Sequence, residues 1–292
     1  MRPSAGGVDA VTAHVARALG VAVVRSAPLA GGQVGQTRRL LLADGREVVV
    51  KTSAGTPLDV EAFMLRYLGE RTTLPVPDVL YADGDLLVEG FVEGSTRTTQ
   101  GSERHAGALL AHLHGIAGDA FGFERDTLIG PFPLPNAWST SWPAFYAEKR
   151  LLAFARLAAE LGRLPVSLHD RVERLAASLP ARFAADGAHT APALIHGDVW
   201  SGNVLTSGER IAAFLDPAIY FADSEVELAF IDLFQTFGPA FHRAYRAVRP
   251  VDGGYERWRR DLYQVQPLLV HVALFGGPYL AGLEARLARL GV

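Results

Sequence analysis

The chain has 292 residues, 49% of them hydrophobic and 20% charged, with a formal net charge of −3. That is the balance of a globular protein with room for one large domain or two modest ones. It offers no electrostatic attraction for nucleic acid or an anionic membrane surface, and no run of 18 uncharged apolar residues is present to span a bilayer.

The first 20 residues lack the sustained apolar core of a signal peptide. Cysteine is absent, which excludes disulfides, thiolate catalysis and zinc–cysteine sites, rules out a covalent dimer and makes a cytoplasmic location the expectation. Apolar positions at helical spacing predict a first helix over 8–19. The glycine-rich turn "GGQVGQ" then leads into "RRLLLA", the turn "DGRE" and "VVVK", two β-rich runs joined by Asp-Gly and so a hairpin. Residues 57–69 read as a helix with Val60, Phe63, Met64 and Tyr67 on one face. "PVPDVLYADGDLLVEGFVEG" gives two more strands across a second Asp-Gly turn, closing a small sheet. From about residue 98 the pattern changes to helices over 103–115, 142–161 and 166–184. These are followed by "LIHGDVWSGNVL" (194–205), the short strand "RIAAFLDP" and further helices. The expected organisation is α+β, with a β-rich lobe over 1–90 and a larger, mostly helical lobe over 91–292.

"LIHGDVWSGNVL" sets a histidine, an aspartate, a tryptophan, a serine and an asparagine between two apolar runs. Asp198 and Asn203 are five residues apart, and Asp216 closes the next strand thirteen further on. Protein kinases use this arrangement: a catalytic-loop Asp, an Asn five later and a metal-binding Asp after the next strand. In-line phosphoryl transfer needs a carboxylate for the hydroxyl proton and hard oxygen ligands that hold magnesium against the phosphates. A polar turn would equally accommodate Asp198 alone; Asp216 at its offset favours the kinase-like reading. Lys51 ends "EVVVK", where a kinase strand lysine sits, and Glu61 in the following helix can pair with it on the phosphates. Either residue alone could be an ordinary surface charge. Gly31, Gly32 and Gly35 form a turn able to bring backbone N–H groups to phosphate oxygens, although the pattern is not G-x-G-x-x-G. What carries weight is the order: loop, Lys, Glu, Asp, Asn, Asp.

Competing chemistries find no support. The chain has no G-x-x-x-x-G-K-[ST], no G-x-S-x-G around Ser201 and no H-E-x-x-H. His112 and His114 are expected to pack or cap a helix end rather than bind metal.

"HGDVWSGN" resembles the catalytic loop of the fructosamine kinase (ketosamine kinase) family, usually H-G-D-L-W-S-G-N. The tryptophan separates that family from aminoglycoside phosphotransferases and choline kinases of the same fold. "LDPAIYFADSEVELAF" resembles the family's D-P-A segment with its acidic residues, here Asp216, Glu225 and Glu227. "FGFERDTLIGPFPLPNAWSTSWPAFYAEKRL" resembles its insert through Asn136, Trp142 and Phe145. "LYQVQPLLVHVALFGGPYL" resembles its C-terminal run through Tyr263, Gln264, His271 and Tyr279. The loop has Val199 where Leu is usual, Glu227 stands where the family shows Asp, and the glycine-rich turn lacks the cysteine many relatives carry.

The resemblance implies a bilobal protein-kinase-like fold and ATP- and Mg²⁺-dependent phosphorylation of a sugar hydroxyl on a ketoamine, small or protein-bound. The phosphorylated adduct then breaks down and frees the amine, a deglycation repair. It makes Asp198 the base and Asn203 and Asp216 the magnesium ligands, and it places Lys51, with Glu61, on the phosphates. The backbone of Glu89 and Phe91 would face adenine. Trp200 would either line the ketoamine pocket or only pack the loop. Two other readings carry less: phosphorylation of an aminoglycoside or amino alcohol, disfavoured by Trp200 and "YQVQPLLVH", and a non-catalytic pseudokinase, disfavoured by the full set of Lys51, Asp198, Asn203 and Asp216.

Overall fold

The computed structural model describes residues 5–29, 36–53, 55–188 and 190–292, with the backbone alone described over 5–9. Helix α1 (Ala5–Leu19) lays Val15 against the first sheet. Strands β1 (Val23–Pro28), β2 (Gln36–Leu42) and β3 (Glu47–Thr52) follow. At the turn between β2 and β3, Gly45 adopts φ +88° and the Asp44 carboxylate accepts the Arg46 N–H at 3.1 Å, the geometry an Asp-Gly pair favours. After α2 (Leu58–Arg71), strands β4 (Val79–Ala82) and β5 (Leu86–Gly90) turn at Asp83, whose Oδ1 accepts the N–H groups of Asp85 and Leu86. The result is one antiparallel sheet in the order β1-β2-β3-β5-β4. Both expected hairpins form.

Helix α2 departs from the single apolar face read from its sequence. Leu58, Ala62 and Leu65 pack with Leu87 of the sheet, while Val60, Met64 and Leu68 join the core of the helical body. Phe63 and Tyr67 sit half-buried at the border, edge-on to Phe123. A helix wedged between two bodies buries two faces, so one stripe understates it.

The larger body begins with α3 (Gln100–Leu113), started by a reciprocal cap in which the Ser102 N–H donates to Thr99 Oγ1 and the Thr99 N–H donates to Ser102 Oγ. The hairpin β6 (Thr127–Ile129) and β7 (Phe132–Leu134) follows. The single helix expected over 142–161 is instead α4 (Trp142–Phe145), a π-helical turn over Tyr146–Leu152 and α5 (Ala153–Glu160). The wider turn carries Arg150, which is fully buried. Then come α6 (Val166–Asp186), β8 (Ala193–Ile195), β9 (Val204–Ser207), β10 (Arg210–Phe214), β11 (Tyr220–Ala222), α7 (Glu225–Phe234), α8 (Pro239–Val248), α9 (Arg260–Phe275) and α10 (Leu280–Arg289). The pairs β8–β11 and β9–β10 are both antiparallel. Among the described residues no helix is long and apolar enough to cross a membrane.

Candidate active site

Pairing of β8 with β11 sets Ile195 opposite Tyr220, so the segments leaving and entering these strands lie side by side. The Ala218 N–H donates to the His196 carbonyl at 2.8 Å and the Leu215 N–H to the Asn203 carbonyl at 2.9 Å. Two short strands thereby bring residues 196–203 against 215–219. Gly197 makes the approach possible: its φ is +87°, and a Cβ there would lie 2.2 Å from the Ala218 oxygen. Gly202 serves another contact, since a Cβ there would meet the Trp200 ring at 2.2 Å.

Within this loop the Asn203 amide donates to Asp198 twice, to Oδ2 at 2.9 Å and to the carbonyl at 3.1 Å. A backbone carbonyl can only accept, so the amide nitrogen must face Asp198. Among the described residues no donor reaches the Asn203 Oδ1. Burial, and then the negative charge of Asp216, push the Asp198 carboxyl up to about 8, against the Asn203 hydrogen bond. Asp216 adopts φ +51°, a left-handed backbone uncommon for a non-glycine residue and often found at functional sites. Burial would raise its carboxyl, but the Lys51 ammonium outweighs that and holds it below the ordinary value. Two neighbouring acids with pKa values driven apart are what acid–base chemistry requires.

Lys51 reaches this loop from β3. It bonds Asp216, 165 residues away in sequence, and approaches Glu61 of α2 at 2.5 Å and Glu89 of β5 at 3.2 Å. Burial disfavours the ammonium, yet Asp216, Glu89 and Glu61 together hold its pKa well above the ordinary value. One lysine cannot neutralise three carboxylates; burial pushes Glu61 up to about 7 and raises Glu89 as well. Glu89 contributes its side chain to the Lys51 cluster, and the Phe91 N–H donates to the Glu47 carbonyl at 3.1 Å, so that donor is engaged inside the sheet. Gly31, Gly32 and Gly35 lie outside the described residues.

Sequence reasoning missed the support of the loop. Glu227, 1% exposed, accepts from the Gly197 N–H at 2.6 Å, the His196 N–H at 3.2 Å and His114 Nε2 at 2.8 Å. His114 is the C-cap of α3, and its Nδ1 lies 2.7 Å from the Tyr245 hydroxyl. At the far end the Thr236 hydroxyl donates to the Val199 carbonyl. Several other motif residues make contacts within the helical body. Trp142 Nε1 donates to Tyr263, whose hydroxyl donates to Asp223. Asn136 accepts from Arg150, Gln264 joins α7 to Arg286, and Glu225 takes a two-pronged contact from Arg259. Only their recurrence as motif positions hinted at this.

The donor set fits a nucleotide with a hard divalent cation. An unshared amide oxygen on Asn203 and an Asp216 carboxylate that is 41% exposed flank Asp198, and acidic groups outnumber the lysine. Oxygen ligands of this kind suit Mg²⁺.

A five-stranded lobe presenting a lysine, and a helical body presenting an Asp–Asn loop and a second Asp, define a protein-kinase-like phosphotransferase. A thermostable mutant of the aminoglycoside phosphotransferase APH(4)-Ia shares this fold at TM-score 0.61 and 19% identity, over 95% of this chain and 96% of that one. The family model for fructosamine kinase matches residues 8–290, and the chain belongs to that family. It is 31% identical to a probable ketoamine kinase of Vibrio parahaemolyticus over 251 residues, 84% of this chain and 82% of the relative. A solved Thermobifida fusca protein assigned as a fructosamine-3-kinase superposes at TM-score 0.86 with 33% identity, covering 97% and 99% of the two chains.

Proposed function

We propose that the chain uses ATP to phosphorylate a sugar hydroxyl of a ketoamine, free or protein-bound, in a cytoplasmic deglycation repair. The observation that carries this reading is the meeting of Asp198, fixed by Asn203 at 2.9 Å, with Asp216, bonded to Lys51 from the other lobe. Residues 1–90 act as the nucleotide lobe and 91–292 as the catalytic and acceptor lobe.

Asp198 accepts the proton of the attacking hydroxyl. Asn203 holds its Oδ2 in place, and Glu227 fixes the loop from behind through two backbone N–H groups. Lys51 orients the phosphates, itself positioned by Glu61. Asn203 Oδ1 and the Asp216 carboxylate would hold Mg²⁺, which when bound would partly neutralise the charge of the phosphates. Gly31, Gly32 and Gly35 are the proposed phosphate-contacting residues. Adenine lies along the strand end at Glu89–Phe91. Trp200, held over Gly202, forms a wall for the sugar.

ADP release by a coupled assay, run against a panel of fructosyl-, ribulosyl- and erythrulosyl-amines beside aminoglycosides and amino alcohols, tests the proposal. Turnover with at least one ketoamine is expected. Turnover confined to the aminoglycosides or amino alcohols would overturn it.

A further inference from the structure

Lys51 and Glu89 belong to neighbouring strands of one sheet. The β3–β5 register sets Lys51 opposite Leu87 and Val49 opposite Glu89. Residues two apart share a face, so Glu89 and Leu87 project with Lys51 toward the side where Leu87 meets α2. The Glu89 side chain is 4% exposed. Its ion-pair partner is Lys51 at 3.2 Å, and its Oε2 is buried with no hydrogen-bond partner. Packing alone does not explain a carboxylate here, because burying a charge is costly and neighbouring Leu87 and Val88 fill the same strand with apolar groups.

The other two partners of Lys51 stand on different elements. Asp216 belongs to the loop after β10 and Glu61 rides on α2. An ammonium has three donors; two are hydrogen-bonded to Glu61 and Asp216, and Glu89 lies within ion-pair distance. With Asp216 engaged as a metal ligand, Lys51 would keep Glu61 and Glu89 as its carboxylate partners. Glu89 alone is tied to it through the ladder of the same sheet, and its unshared Oε2 offers a further acceptor.

We infer that Glu89 is a positioning residue for nucleotide binding, a second anchor that holds Lys51 on the phosphates independently of Glu61. This rests on the placement of Lys51 proposed above. It differs from the backbone role expected of the strand end, since the charge of the side chain is what acts.

The test measures Mg·ADP affinity by calorimetry in the wild type, Glu89→Gln, Lys51→Met and the double variant. Glu89→Gln should weaken binding roughly tenfold, the scale of one charge-assisted contact, and should raise the KM for ATP while leaving the KM for the acceptor unchanged. In the Lys51→Met background the same substitution should cost nothing further, because the group it acts through is gone. Wild-type affinity in Glu89→Gln would overturn the inference, as would an equal loss in both backgrounds, which marks a general packing role. Wild-type affinity in Lys51→Met would instead remove Lys51 from the phosphates, and the anchor with it. Should Glu89→Gln fail to fold, Glu89→Asp keeps the charge, withdraws it from Lys51 and serves the same comparison.

Discussion

Asp216 and Gly202 each answer for one thing the catalytic loop must do. If Asp216 is a magnesium ligand, Asp216→Ala removes the bridge between protein and phosphates. Calorimetry with ATP at varied magnesium should then show nucleotide affinity that no longer responds to the metal; an unaltered metal dependence would move the ligand to another carboxylate. Glu225 is a poor substitute, since Arg259 occupies both its oxygens. Gly202→Ala forces the Trp200 ring off the loop, because the added methyl would sit 2.2 Å from it. The expected result is a rise in acceptor KM of roughly tenfold or more, in line with the sensitivity of catalysis to ~1 Å misplacement, with Mg·ADP affinity unchanged. Equal losses in both would mean that the ring only packs the loop. Asp198, Asn203, Asp216, Lys51 and Glu61 were legible as residue types at fixed offsets. The side chain of Glu89 was not, because the face a strand residue presents depends on a pairing register that local sequence does not print.

At the scale of elements, β8, β11 and α7 hold the loop through Glu227, and this network sets an acid limit on stability. Burial holds the His196 imidazole below its ordinary value of 6.5 despite the nearby Glu227 charge. Burial alone would raise Glu227, but His114, His196 and the Gly197 N–H bring it below 4.5. For both groups the folded pKa lies below the unfolded one, so the unfolded chain binds more protons and stability is lost as pH falls. Loss should begin near pH 6.5 through His196 and deepen below about 4.5 through Glu227. Asp198 and Glu61, held above their ordinary values, act in the opposite sense. The part of Glu227 is therefore read as the stability gap between wild type and Glu227→Gln in thermal melts: about 1–3 kcal/mol in favour of wild type at neutral pH, the cost of a weakened buried hydrogen-bond acceptor, closing below about pH 4.5. A gap that is absent at neutral pH, or that persists unchanged below about pH 4.5, would contradict the assignment. The Asp-Gly hairpins and long helices could be read from sequence because turn chemistry and periodicity act locally. Strands β8 and β11, three residues each, are too short to show a period, and the π-helical turn of Tyr146–Leu152 follows from packing rather than from the apolar repeat.

Over the whole molecule, the contact of Lys51 with Asp216 joins a β-rich lobe to a helical one across 165 residues, a meeting that chain order implied and spacing could not show. The chain has no thiol, and Met64, buried in the core, does not belong to the glycine-rich turn. Activity and apparent mass should therefore be the same in reducing and mildly oxidising buffers; a peroxide-induced loss of activity restored by dithiothreitol would contradict this. The most direct test of Asp198 as the base is a paired measurement on Asp198→Asn of acceptor-dependent kcat and Mg·ADP dissociation constant. Loss of the proton acceptor alone should lower kcat by roughly 10²-fold or more and leave nucleotide affinity within a few-fold of wild type. Near-wild-type kcat in that variant would contradict the central claim.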